Sequence, residues 1–170
     1  PLQVEMLSGV FDSLVPSGRI LRNLPALRAL RSAFPGRLRI MVNEGCLPGC
    51  PFRVQHFFEM GAAATYPLSL CRELLQAKPW LALTGAWILP QYLHFFDGFY
   101  DELKIAGRVT LQNPDRYRRV LRAYASRECV ALDDIGGGPA TAMVAMTISD
   151  DFYEMTLQCA GLCHVCGRCE

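Results

Sequence analysis

Eight cysteines carry most of the chemistry legible in this chain. Cys46 and Cys50 sit in the turn Asn43-Glu44-Gly45-Cys46-Leu47-Pro48-Gly49-Cys50-Pro51, between an apolar run and an apolar segment. Glycine gives so tight a turn its unusual dihedrals and proline its rigidity. A strand-to-helix turn is also where an α/β protein places its ligands. The pair therefore reads as part of a metal or iron–sulfur site, with Arg53 and His56 beside it. The bland alternative is two buried thiols in a well-made turn, because free cysteine is among the most buried residue types. Ligation at this turn needs at least one further protein ligand, and Cys71 is the nearest candidate. The radical-chemistry spacing Cys-x3-Cys-x2-Cys is absent here, since its third position is Arg53.

The second set closes the sequence as Cys159-Ala-Gly-Leu-Cys163-His-Val-Cys166-Gly-Arg-Cys169-Glu170. Cys159, Cys163, Cys166 and Cys169 follow one another at intervals of four, three and three residues. Four such thiolates can converge on one centre, which suits either tetrahedral zinc or a 4Fe-4S cluster. Spacing does not separate those two. Cys129, at the end of a predicted helix, reads as a buried thiol.

The elements that must position these residues follow from the apolar pattern. Strands are predicted at Phe11–Pro16, Leu38–Val42, Trp80–Thr84 and Glu102–Ala106. Helices are predicted at Leu24–Phe34, Phe52–Ala64, Cys71–Ala77, Pro90–Phe96, Asp115–Arg127 and Asp150–Leu157. In the first of these, Leu24, Leu27, Leu30 and Phe34 recur at helical spacing, behind an Asn23 cap and an early Pro25. Residues 1–10 are open between helix and strand. Strand and helix thus alternate four times, the pattern of parallel strands with crossover helices. The fold class is α/β, and four such units fit half of a TIM-type (β/α)8 barrel or a small open sheet. In a barrel the strand ends carrying Arg19, Glu44, Cys46, Thr84 and Arg108 share one face, where active sites lie. Asp133 to Pro139 reads as a hinge, dividing the chain into 1–130 and a cysteine-rich tail at 131–170.

Composition sets the bounds. With 51% hydrophobic and 19% charged residues, the chain is a globular one. A net charge of +1 excludes broad attraction to nucleic acid or anionic membrane. Fifteen of the 17 basic residues are Arg, which offers a bidentate fork to carboxylate or phosphate. No apolar run reaches the roughly 18 residues of a membrane span. Clustered thiols in a strand–helix chain point to metal and a cytoplasmic setting rather than to secreted disulfides. The chain opens on Pro1 and runs straight into core-like sequence, so we read it as a piece of a longer one.

Several of these motifs are familiar together. Val42-Asn43-Glu44-Gly45-Cys46, Cys50-Pro51-Phe52-Arg53 with His56, Trp87-Ile88-Leu89-Pro90 and Leu103-Lys104-Ile105-Ala106-Gly107-Arg108 resemble the collagenase-like peptidase family, peptidase family thirty-two of unknown catalytic type. The resemblance covers roughly residues 11 to 127. It implies a β/α barrel of which this chain is the C-terminal half. Its iron–sulfur branch implies oxygen-independent hydroxylation, or a related modification, of a small molecule or an RNA, with a homologous subunit as a candidate partner. In that branch Cys46 and Cys50 match cluster positions and Cys71 is a looser match, with the remaining ligand upstream. The tail lies outside the family core and is a candidate for a second cluster.

Arg53, His56, Lys104 and Arg108 would then hold a polar or anionic substrate. Plainer roles are also open: Arg53 and His56, three apart, would cap a helix or pair with Glu44 or Glu59. Lys104 in an apolar strand needs a partner if it faces inward. A peptidase is the alternative enzyme, although Gly-x-Ser-x-Gly and His-Glu-x-x-His are absent. The non-enzymatic alternative is a partner-binding subunit stapled by metal.

Overall fold

The computed structural model describes residues 2–47, 49–51, 53–54, 69–106, 113–136 and 146–170. Among them the central element is strand β2, Arg37–Met41, flanked by β1, Ser13–Leu14, and β3, Glu102–Lys104. Both pairings are parallel, with Leu14 opposite Leu38 and Ile40 opposite Leu103. The fold is therefore mixed α/β, built on a small parallel sheet. Alternation along β2 sends Leu38 and Ile40 to one face, and both are fully buried. Arg37, Arg39 and Met41 take the other face, where Arg39 Nε meets Glu102 Oε2 at 2.7 Å.

Helices α1 (Leu2–Ser8), α2 (Gly18–Leu21) and α3 (Leu24–Ala33) surround the first crossover. Asn23 caps α3 by accepting the Ala26 N–H at 2.9 Å, and Pro25 sits in the first turn where no N–H is needed. Then come α4 (Ser69–Ala77), two 3-10 helices (Pro79–Thr84 and Pro90–Phe96), α5 (Pro114–Ser126), α6 (Asp150–Thr156) and the single turn α7 (Cys163–Cys166). Asn113 and Ser149 cap α5 and α6 in the same way as Asn23 caps α3. One hydrophobic core joins Leu21, Leu27, Ile40 and Val42 to Trp87, Ile88, Leu93 and Tyr124. Residues 131–170 add Leu132, Ile135, Ile148, Tyr153 and Leu157 to the same core.

The expected strand at Trp80–Thr84 is a 3-10 helix. Pro79 opens it, the Thr84 hydroxyl donates back to Leu81 O at 2.7 Å, and the Ala82 carbonyl accepts from both Gly85 N–H and Trp87 Nε1. Leu and Ala pack as readily on a helix as on a strand, so an apolar run this short did not fix its own type. The extended segment comes just after, where Ala86, Trp87, Ile88 and Leu89 are all buried and Ile88 N–H donates to Val42 O at 2.7 Å. The first strand is two residues long instead of six, and the last stops at Lys104. The start of the expected hinge is packed: Leu132–Ile135 forms a 3-10 helix with both terminal side chains buried. The predicted helix at Phe52–Ala64 lies almost wholly outside the described residues.

Candidate functional site

The site begins where β2 ends. Val42 closes the core, its N–H donating to Lys104 O at 3.1 Å. Asn43 follows, 1% exposed. Its Oδ1 accepts the Ala106 N–H at 2.7 Å, and its Nδ2 donates to the carbonyls of Ala106 at 2.8 Å, Gly136 at 2.9 Å and Ile135 at 3.2 Å. One side chain thus continues the β2–β3 pairing past the last ladder bond and fastens residues 135–136 to the same end. Beyond it the chain is free to turn.

Glu44 points back under that turn, its side chain 5% exposed, and pairs through Oε1 with Arg53 Nη2. Its Oε2 has no hydrogen-bond partner among the described residues. The carboxylate lies against Gly18, where a Cβ would come within 2.6 Å of Oε2 and 2.7 Å of the Ala86 Cβ. Gly18 is therefore what lets helix α2 approach the strand end. Ser17 caps α2, its Oγ accepting from Arg19 N–H at 3.4 Å. Together Ser17, Arg19, Glu44, Cys46, Cys50 and Arg53 line a cavity of about 330 Å³. The turns after β1 and β2 thus meet at this cavity, whereas Thr84, expected on the same face, ends a 3-10 helix and lines a different one.

Burial pushes the Cys46 thiol up from its ordinary range; Arg53 opposes this, while Glu44, Cys50 and Cys71 add to it. Burial likewise raises Cys71, with a smaller push from Cys50. The three thiols are thus within electrostatic reach of one another, Cys71 coming from the first turn of α4. A thiolate here needs compensation by metal or cation. Among the described residues no three His, Cys, Asp or Glu side chains form a ready-made metal-binding group. Cys46 and Cys50 share the cavity and have the donor chemistry a cluster takes, whereas Cys71 does not line it.

The remaining candidates are placed as follows. Arg53 is paired with Glu44, the plainer of its two expected roles. Lys104 ends β3 opposite Met41, exposed, on the face away from Ile40 and Leu103. His56 and Arg108 lie outside the described residues. Cys159, Cys163, Cys166 and Cys169 all line a second cavity, of about 290 Å³, that shares no lining residue with the first. Arg22 lines that second cavity and went unnoticed in the sequence. The only signal for it was a charge between the apolar pairs Ile20-Leu21 and Leu24-Leu27.

No protein-family model matches the chain, and no solved structure matches it. An alignment 114 positions long, covering 62% of the chain, is 32% identical to an uncharacterised protease of Methanocaldococcus jannaschii. The chain spans 33% of that protein's length. No described helix is long and apolar enough to cross a membrane. The comparison therefore leaves the chain similar to part of a protease-named archaeal protein.

Proposed function

We propose that this chain is part of an iron–sulfur protein of the collagenase-like peptidase family, its parallel sheet being half of a TIM-type barrel. Cys46, Cys50 and Cys71 supply ligands of a 4Fe-4S cluster, completed by residues outside this chain. The observation that carries this reading is the shared cavity: two thiols, a buried Glu44 paired with the half-buried Arg53, and Arg19 meet at the ends of parallel strands. A bound cluster supplies one-electron redox chemistry. The protein's own part is to bind and orient. Arg19 and Arg53 present guanidinium groups to a polar or anionic substrate, and buried Glu44 holds Arg53 in place. The reaction class is oxygen-independent hydroxylation or a related modification of a small molecule or RNA base.

Iron and acid-labile sulfide on protein purified without oxygen test this. Cys46→Ala and Cys50→Ala are each expected to lose iron and activity together. If both keep wild-type iron and activity, the pair is structural and the reading fails.

The likeness to a protease-named protein favours a second reading, peptide hydrolysis. It predicts peptidase activity that survives removal of iron and disappears in Cys46→Ala. A stripped protein that cleaves nothing ends it.

A further inference from the structure

We propose that the tail cysteines hold a second, separate metal centre, a dianionic tetrathiolate, and that Arg22 is its built-in counter-cation. The argument begins with an anomaly. Arg22 is 6% exposed, and its Nη1 donates to the carbonyl oxygens of Leu83 and, at 2.9 Å, Gly85. Its guanidinium lies 5.4 Å from the centre of the Trp87 ring. Nε and Nη2 are buried with no hydrogen-bond partner among the described residues, and no carboxylate there pairs with it. A buried cation held only by neutral groups is costly, and an anion that accepts N–H would both fill the two open donors and offset the charge.

The cavity that Arg22 lines contains the candidate. Cys159, Cys163, Cys166 and Cys169 line it too. Burial pulls the Arg22 guanidinium down; Tyr153, then Cys169, Cys159 and Cys163, act on it in the opposite sense. Glu170 borders the cavity without forming an ion pair to Arg22. Divalent zinc with four thiolates, or an oxidised 4Fe-4S cluster with four, carries two net negative charges. Either takes the sulfur-directed N–H bonds that Nε and Nη2 can give, and a cation close by favours both.

The backbone is arranged for this. The Cys159 N–H donates to the Arg22 carbonyl at 3.0 Å, and Leu24 N–H donates to Leu157 O at 2.9 Å. Asn23 and Gln158 pair as an isolated antiparallel bridge. The first thiol is thus stapled to the residue whose side chain lines the cavity. Gly161 and Gly167 hold left-handed φ of 73° and 61° with open space around them, so the chain reverses twice between thiols. The Gly161 N–H already donates to Cys159 Sγ at 3.4 Å. The thiols do not yet enclose a point. Binding closes the last distances as each S–H proton passes to solvent, since metal binding and folding of such a segment are one equilibrium.

Arg22 is a positioning residue and not a ligand. The test uses the whole chain, purified anaerobically, with zinc, iron and sulfide counted. A variant with all four tail cysteines changed to Ser is expected to lose one zinc or one four-iron cluster, whichever the protein carries. The Cys46→Ala/Cys50→Ala variant keeps that centre, so failure here and failure at the strand-end site are read separately. Arg22→Met should bind the tail metal about 10- to 100-fold more weakly in chelator competition, the usual cost of losing an outer-shell partner, with partial rescue by Arg22→Lys. If Arg22→Met does not fold, cobalt(II) titration of apo wild type against Cys169→Ser decides. Thiolate-to-cobalt charge transfer and tetrahedral bands are expected in the first and weakened in the second. Equal metal in the tail variant and wild type overturns the site. Unchanged affinity in a folded Arg22→Met overturns the role of Arg22.

Discussion

Asn43 makes four hydrogen bonds from one amide, all to backbone groups of two other segments. Asn43→Ala leaves those groups buried without partners, so we expect a loss of about 2–3 kcal/mol in urea unfolding. Asn43→Asp should be no better, because a carboxylate cannot donate to the three carbonyls. A variant as stable as wild type would show the lock to be dispensable. At this scale the sequence was partly readable. A turn of Asn, Glu, Gly, Pro and two Cys after an apolar run was legible as a strand-end turn, and in the structure it borders a cavity. The Arg53–Glu44 pair was one of two partners foreseen. Arg22 and the Asn43 lock were not legible, because both depend on carbonyls more than 60 positions away in sequence.

Helix α2 owes its position to Gly18. An added methyl would meet the Glu44 carboxylate and Ala86, so Gly18→Ala should cost about 1–3 kcal/mol as an overpacking change. It should also disturb the Glu44–Arg53 pair and the cavity beside it. Chemical denaturation and thiol accessibility of Cys46 check both; a stable variant with unchanged accessibility would mean that α2 shifts freely. Helix α3 was legible because its cap and its periodicity agree. The segment Trp80–Thr84 was not, because apolar residues without a β-branched majority leave period and length undecided. Its true partner, the extended run Gly85–Leu89, is marked by burial against Val42 and Tyr124 rather than by pattern.

Across the whole molecule, three core tyrosines set the alkaline limit. Burial raises Tyr92, Tyr124 and Tyr153 above the ordinary tyrosine range. The unfolded chain releases these protons near pH 10 and the folded chain does not. Their neutral forms therefore stabilise the fold fully below about pH 10, and that contribution is lost as pH rises towards their folded values. Urea midpoints from pH 8 upward should fall together with the appearance of tyrosinate absorbance. A flat profile past pH 11 would contradict this. Tyr153→Phe should be neutral or slightly stabilising, because the Tyr153 hydroxyl has no partner among the described residues.

The staple between Arg22 and Cys159 also orders events in time. It joins Arg22 to Cys159, so it is among the contacts of widest sequence separation that the described residues make. Such contacts form late, because the loop they close must be drawn in first. A chain emerging from the ribosome can assemble β1, α3 and β2 while the tail is still unmade. Sealing of Arg22 then waits for Cys159 and the thiols after it, which makes tail docking a late latch on the sheet already assembled. Refolding should accordingly show a slow phase, sensitive to metal, that reports the tail and leaves the sheet signal unchanged.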